Sequence, residues 1–559
     1  MIRKIALVAS ASLVLLAGCG GGGDINIQPS TTDNSVNNSN NTTTDGGSTA
    51  SNPCASYVDG TATTRQGTFD GTNCTYSAAF VDSGNNLTVD LTIPALTTGG
   101  AHIFQGSLFV GEAYDTDADL AAAGITQGGD GPTLTLEAGT TLAFQSSANF
   151  MVINRGSQLI AAGTANNPIT LTSASDVAGD LDATPEAVSQ WGGLVIDGFG
   201  VTNACAYTGT RGVDLALTGE CHVASEGSAG LDENFYGGNN DDDSSGRLEY
   251  VVVKHTGAQV ANGDELNGIT WGAVGRGTIV NNLEVYSVFD DGIEMFGGAV
   301  SFTNYAAIYV RDDSIDIDEG WIGTIDTALV VQSETDGNTC IEADGIGGFS
   351  GLDPAVIEDF IARGLQSAPT ISNLTCIISP NGPTTATHDP GAGIRFREGI
   401  TPTLNDVLVI GAFVAADLTS ATDNYCLRLD DRSAQAAADG DLELNSVIYA
   451  CEERAVGTLP APDGRSAEQF AIDSGNVFAT IAGAVDATAM ADTDLQLLEG
   501  TPPLFSIDYA TMQVDGAVPA GAPQAGDFIG ALSQSATNPF ANWTFGIFDG
   551  SRNQPFYFE

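Results

Sequence analysis

One short pattern recurs along the middle of the chain: an apolar residue, a polar residue, any residue, then a second apolar one. It begins LEYVVV at 248, VNNLEV at 280, FTNYAA at 302, IDTALV at 325, ISNLTC at 371, LNDVLV at 404 and LNSVIY at 444. After a variable gap, the first six are each followed by a four-residue segment: GITW at 268, GIEM at 292, SIDI at 314, CIEA at 340, GIRF at 393 and CLRL at 426. The seventh has only the weaker RAVG at 454. Alternation over so few residues is the period of a strand. The closest spacings between first segments, 22 and 23 residues, set the uninterrupted period, and the longer ones contain polar loops.

A period in the low twenties with two or three very short strands per repeat predicts a β-solenoid. One coil cannot bury its own inward side chains. Coils stacked about 4.8 Å apart make a continuous core and parallel sheets. The series extends upstream through TLTLEAGTTLAF (133–144), FMVINRGSQLIAAGT (150–164), PITLTS (168–173) and WGGLVIDG (191–198). Two stretches predict short inserted helices: DPAVIEDFIARG (353–364), with its Asp-Pro start and closing Gly, and DTDADLAAAG (115–124). The predicted fold class is all-β, a parallel β-helix over 131–500 with loop insertions and one or two short helices. An N-terminal cap with the first strands (54–130) precedes it, and a C-terminal cap (501–559) follows.

Composition supports strands and tight turns, with 69 glycines and few aromatics. Charge changes the picture more. The formal net charge is −53, and the only lysines are Lys4 and Lys254. Such a chain repels phosphate backbones, which excludes a nucleic-acid partner. An anionic polysaccharide is also repelled unless a cation bridges the charges.

The first residues, MIRKIALVASASLVLLAGC, place Arg3 and Lys4 before an apolar run too short for a comfortable membrane span, so 1–18 reads as a signal peptide. Leu16-Ala17-Gly18-Cys19 resembles the bacterial lipobox, which implies cleavage before Cys19 and acylation of Cys19. Gly20, where an Asp would signal retention, implies export to the outer membrane, lipid-anchored on its periplasmic or cell-surface side. Residues 19–53 then form a Gly/Asn/Ser/Thr tether that cannot bury enough surface to fold. It spans roughly 30 Å. The remaining cysteines of an exported chain suggest local pairs: Cys54–Cys74, Cys205–Cys221, Cys340–Cys376 and Cys426–Cys451.

GSQLIAAGTANNPITLTS (156–173), WGGLVIDG, DELNGIT (264–270), VGRGT (274–278), DDGIEMFGG (290–298) and DDSIDIDEGW (312–321) occur in an order that resembles a family of exported proteins. These are the right-handed parallel β-helix (pectate-lyase-like) proteins and lipoproteins of Gram-negative bacteria. DFIGAL (527–532) and NWTFG (542–546) resemble that family's C-terminal signature. The resemblance covers roughly 130–345 well and implies a pectate-lyase-like β-solenoid. It implies no activity, because the fold hosts many functions.

In the register of the repeat, the third residues of the second segments form one outward column: Thr270, Glu294, Asp316, Glu342, Arg395, Arg428. Carboxylates stacked at coil spacing repel by about 1 kcal/mol per neighbouring pair in water and about 3–4 at an effective dielectric of 20. Asp290 and Asp291 stack over Asp312 and Asp313, and Asp318 and Glu319 lie nearby. Three readings stand side by side. The acids are solvated or mutually hydrogen-bonded turn residues. Or Asp290, Asp291, Glu294, Asp312, Asp313, Asp316, Asp318 and Glu319 supply hard oxygen ligands for Ca²⁺. Or Asp290, Asp291, Asp312 and Asp313 supply a catalytic acid pair, with Arg395 as a base. No EF-hand, Walker or G-x-S-x-G pattern occurs. The acidic run 237–247 reads as a flexible loop, and Lys254 as a salt-bridge partner.

Two functional expectations follow. The first is a surface-anchored outer-membrane lipoprotein, held to the membrane by its lipid. Its solenoid acts as a binding or structural scaffold, able to bind Ca²⁺, for a glycan or an envelope protein. The alternative is a polysaccharide lyase or glycoside hydrolase, for which Arg395, Arg397 and Lys254 are the available bases. Bases for gripping uronate and aromatic platforms for sugars are scarce, and this favours the scaffold.

Overall fold

The structure is a computed structural model. It describes residues 52–547, apart from 180–185, 227–233, 262–263, 334–335, 380–390, 412–424, 452, 479, 482–493, 496–506, 509–527 and 533–536. The expected signal peptide, Cys19, nearly all of the tether and most of the C-terminal cap lie outside the described residues.

Every first segment pairs in parallel with the next in the register that its pattern predicts. Leu248 lies opposite Val280, Val280 opposite Phe302, and Phe302 opposite Ile325. Ile325 in turn lies opposite Ile371, Ile371 opposite Leu404, and Leu404 opposite Leu444. The second segments form their own parallel sheet. It includes Leu194–Asp197, Ile269–Gly272, Ile293–Phe296, Asp316–Asp318, Thr339–Asp344, Ala392–Arg397, Tyr425–Leu429 and Glu453–Val456. Its inward residues Ile269, Ile293, Ile315, Ile341, Ile394 and Leu427 are wholly buried, in one core with the first-segment residues. The fold is thus an all-β parallel β-helix.

The pattern's unspecified third position has a fixed conformational task. Tyr250, Asn282, Asn304, Thr327, Asn373, Asp406 and Ser446 all adopt left-handed backbone, with φ between 51° and 63°. Upstream, the strands Gln158–Ala162 and Ile169–Ser173 are separate, joined by a loop. From Gly246–Lys254 onward they merge: its first half pairs with one of them and its second half with the other. A single left-handed residue therefore replaces the loop and turns the strand from one face of the coil to the next. Asn and Asp tolerate this conformation, whereas β-branched Thr327 is strained in it. Side-chain amides laddered between coils, Asn304 to Asn282 at 3.0 Å and Asn445 to Asn405 at 3.2 Å, tie the corners together.

Both predicted helices form, as Asp117–Ala123 and Pro354–Ala362, capped by Thr116 and Asp353. The expectation of one or two is too low, because Ala174–Ala178, Asp431–Asp439 and Ala467–Asp473 are also helical. The second of these follows ordinary rules, an alanine-rich run closed by left-handed Gly440. All four expected disulfides are present, with Cα separations of 5.5 to 6.1 Å.

The described C-terminal residues lie along the side of the solenoid. Ala531, Leu532, Phe540, Trp543 and Ile547 pack on an outward apolar strip that includes Val252, Ile308, Leu329, Ile377, Leu408 and Ile448. The segment is tied to three coils: Gly530 N–H donates to Asp406 O, Ala531 N–H to Thr375 Oγ1, and Phe545 N–H to Glu284.

Replacing Thr327 with glycine should raise the unfolding free energy by up to about 1 kcal/mol in urea titration, since removing the left-handed penalty outweighs glycine's added chain entropy. A loss of stability would show that the corner carries no strain.

Candidate metal centre

In-register pairing builds the acidic column as the sequence arranges it. Thr270 lies opposite Glu294, Glu294 opposite Asp316, Asp316 opposite Glu342, Glu342 opposite Arg395, and Arg395 opposite Arg428. The column points away from the core as expected, but its first two members, Thr270 and Glu294, are buried, whereas Asp316, Glu342, Arg395 and Arg428 are half-buried. Beside the column, Asp291, Asp313 and Asp344 are also at least nine-tenths buried. The reason is the insertion between 198 and 245, which packs beside this sheet. Its Asn203 amide donates to Gly345 O and Leu365 O, both at 3.0 Å. Arg211 donates to Gly298 O at 3.0 Å and to both oxygens of Asp241 at 2.8 Å. The acidic run 237–247 is pinned in the same way, not loose. Buried Asp243 accepts from Phe199 N–H at 2.9 Å and Gly128 N–H at 2.5 Å.

Five of the eight predicted ligands come together. Asp290, Asp291 and Asp312 form one triad, and Asp291, Glu294 and Asp316 a second. Within each triad, one oxygen per residue lies within 4.8 Å of the others. Asp291 belongs to both. The other three are committed elsewhere. Asp313 accepts from the N–H of Thr339 at 2.7 Å and from its hydroxyl. Asp318 accepts from Glu319 N–H at 2.5 Å. Glu319 turns to the insertion and accepts from Thr202 Oγ1 at 2.6 Å and Tyr236 at 2.8 Å.

The electrostatics are one-sided. Burial pushes the Asp291 carboxyl well above the usual range, and Asp290, Asp316, Asp313 and Asp312 push it further. Burial, then Glu226, Asp316 and Asp291 do the same to Glu294. Burial, then Glu342 and Asp313 raise Asp316. The Glu226 carboxyl, brought by the insertion, lies within hydrogen-bond reach of Glu294 and adds to the push on it. Sequence reasoning missed Glu226 because the insertion has no repeat to place it. It also missed Asn267, although register with Asp291 could have found it. The Asn267 amide donates to Glu294 at 2.5 Å and Thr270 at 3.0 Å.

Arginines relieve only the far end. Arg395 pairs with Glu342 at 2.9 Å and Asp430 at 3.0 Å, so the helix inserted between the coils does not separate them. Arg397 pairs with Glu342 at 2.6 Å and also with Asp344. Burial opposes the charge on Arg395, but Glu342 and Asp430 outweigh it and its pKa is raised. Of the catalytic alternative, Asp290, Asp291 and Asp312 meet, Asp313 is held by Thr339, and Arg395 lies two coils beyond Asp316. Lys254 is a salt-bridge partner, 2.7 Å from Asp176.

The site therefore offers acidic oxygens at close range, in a setting that penalises ionisation unless a proton or a cation is shared. Number and hardness favour Ca²⁺ among cations. A family model described as pectate-lyase like beta helix domain matches residues 113–484, well over half of the 559-residue chain. No curated protein and no solved structure matches.

A carboxyl whose folded pKa exceeds its unfolded value makes the folded state hold the extra proton. Stability then falls as pH rises from the unfolded value through the folded one. Wholly buried Asp197, on the same sheet, is pushed by burial up to about 7 from 3.8. In chelator, urea titrations should show stability falling between those values, and Asp197→Asn should flatten the fall. Stability that rises over this range would contradict the site's electrostatics.

Proposed function

Because the chain belongs to the pectate-lyase-like β-helix family, whose fold is a platform for unrelated activities, we propose its function from this site: a Ca²⁺-binding scaffold of the cell envelope. The observation that carries the reading is the pair of triads sharing Asp291, with burial and mutual repulsion raising Asp291, Glu294 and Asp316 together. Ca²⁺ at Asp290, Asp291, Glu294, Asp312 and Asp316 removes that repulsion and locks neighbouring coils of one sheet together. The long faces and inserted loops of the solenoid then present a rigid surface to a glycan or an envelope protein.

A second reading, a polysaccharide lyase or glycoside hydrolase, is favoured by the family match and by acids and arginines sharing one sheet. The arginines weaken it as a lyase. Arg395 and Arg397 each grip two carboxylates, and both are held more firmly protonated than free arginine. Neither is poised to take a proton. The acids weaken it as a hydrolase. Burial and crowding raise Asp291, Glu294 and Asp316 alike, whereas an acid and a base need separated values.

Attachment to the outer membrane through acylated Cys19 rests on the lipobox-like Leu16-Ala17-Gly18-Cys19. Four disulfides suit an oxidising compartment outside the cytoplasm. The low-complexity tether then holds the solenoid away from the lipid surface.

At a Ca²⁺ concentration a hundred times its dissociation constant, unfolding should be harder by about 2.7 kcal/mol than in chelator. Glu294→Gln should remove most of that gain. The Ca²⁺-loaded protein should leave polygalacturonate intact, and unsaturated or reducing ends accumulating with time would establish the second reading instead. Cells fed labelled palmitate should label the protein, and Cys19→Ser should abolish both the label and membrane sedimentation. An unlabelled protein that still sediments would refute the anchor.

A further inference from the structure

Among the buried polar atoms without a hydrogen-bond partner, one lies directly against the acidic triads. Asn267 is almost fully buried, with 2 % of its surface exposed. Its Nδ2 is used twice, on Glu294 and Thr270. Its Oδ1 has no hydrogen-bond donor among the described residues. A buried amide oxygen left without a partner is destabilising and asks for an explanation.

The position of Asn267 supplies one. Ile269 lies opposite Ile293, which sets Asn267 one coil from Asp291, in the same column. Gly268 N–H donates to Asp291 O at 2.7 Å. Asn267 therefore lies beside two of the three residues of the buried triad and contacts Glu294 directly. The nearby carboxylates are acceptors when ionised and give Oδ1 nothing to bond. A cation seated on Asp291, Glu294 and Asp316 would bond it.

The second triad differs in kind. Asp290 and Asp312 are only half-buried, at the turn before the strands. The Asn338 amide donates to Asp312 Oδ1 at 2.6 Å and orients that carboxylate. Asp291 is the single residue that both triads use.

Resting on the calcium reading, we infer that the centre binds two calcium ions bridged by Asp291. The inner ion takes Asp291, Glu294, Asp316 and the amide oxygen of Asn267, and is the more enclosed of the two. The outer ion takes Asp290, Asp291 and Asp312, with its remaining positions open to water or to an incoming acidic ligand. The inner ion fastens the coils, and the outer one is the exchangeable ion at the surface.

Titrating CaCl₂ into the detergent-solubilised full-length protein, stripped with chelator, should show by calorimetry two ions per chain. Asp312→Asn should remove the weaker ion alone. Asn267→Leu should weaken the tighter ion at least tenfold. Because Asn267→Leu could unfold the chain, Glu294→Gln serves as a second probe of the inner ion, with circular dichroism as the check on folding. One ion in the unaltered protein would overturn the pair while leaving the calcium reading standing. No ion would overturn both. Two ions of unchanged affinity in folded Asn267→Leu would remove Asn267 from the ligand set.

Discussion

In-register parallel pairing is the constraint from which the rest of this molecule follows. It stacks the same position of each repeat above itself, about 4.8 Å apart. For apolar positions this is favourable, and Ile269, Ile293, Ile315, Ile341 and Ile394 fill a continuous dry interior. For charged positions it is not. A polar position that carries a carboxylate in successive coils becomes a column of like charges, and the column must be relieved along its length. Arg395 and Arg397 relieve it at Glu342 and Asp344. Around Asp291 and Glu294 no arginine or lysine pairs with the acids among the described contacts, and there the repulsion asks for a shared proton or, on the reading proposed above, a cation.

The same constraint explains what could be read from the chain. All six steps between first segments have the register that their pattern implies, as has the column from Thr270 to Arg428. A period-two pattern permits no one-residue slip without turning the core outward. Burial of Asp291 and Glu294 was not legible, because the insertion between 198 and 245 packs beside their sheet. That segment obeys no repeat, so neither Glu226 nor the turn of Glu319 toward Thr202 and Tyr236 could be placed from spacing. The left-handed corner was half-visible: Asn282, Asn304 and Asn373 suggest it, whereas Tyr250 and Thr327 hide it. Periodicity is equally silent on the C-terminal segment, which lies against the flank of the solenoid.

Two uses of this architecture place different demands on the sheet. An enzyme on this sheet needs a free base or a differentiated acid pair facing substrate. Here the arginines are consumed in ion pairs, and the acids are pressed toward one another and toward a common protonation state. On the reading proposed above, such a cluster suits a cation-dependent joint between coils better than acid–base chemistry. On this account the solenoid's rigidity is what a calcium ion bound there would serve.

The most direct measurement is a crystal structure of the protein grown at neutral pH with calcium, read by anomalous scattering. The account predicts strong anomalous peaks among Asp290, Asp291, Glu294, Asp312 and Asp316. Density showing those carboxyls bonded directly to one another, with no ion between them, would contradict it.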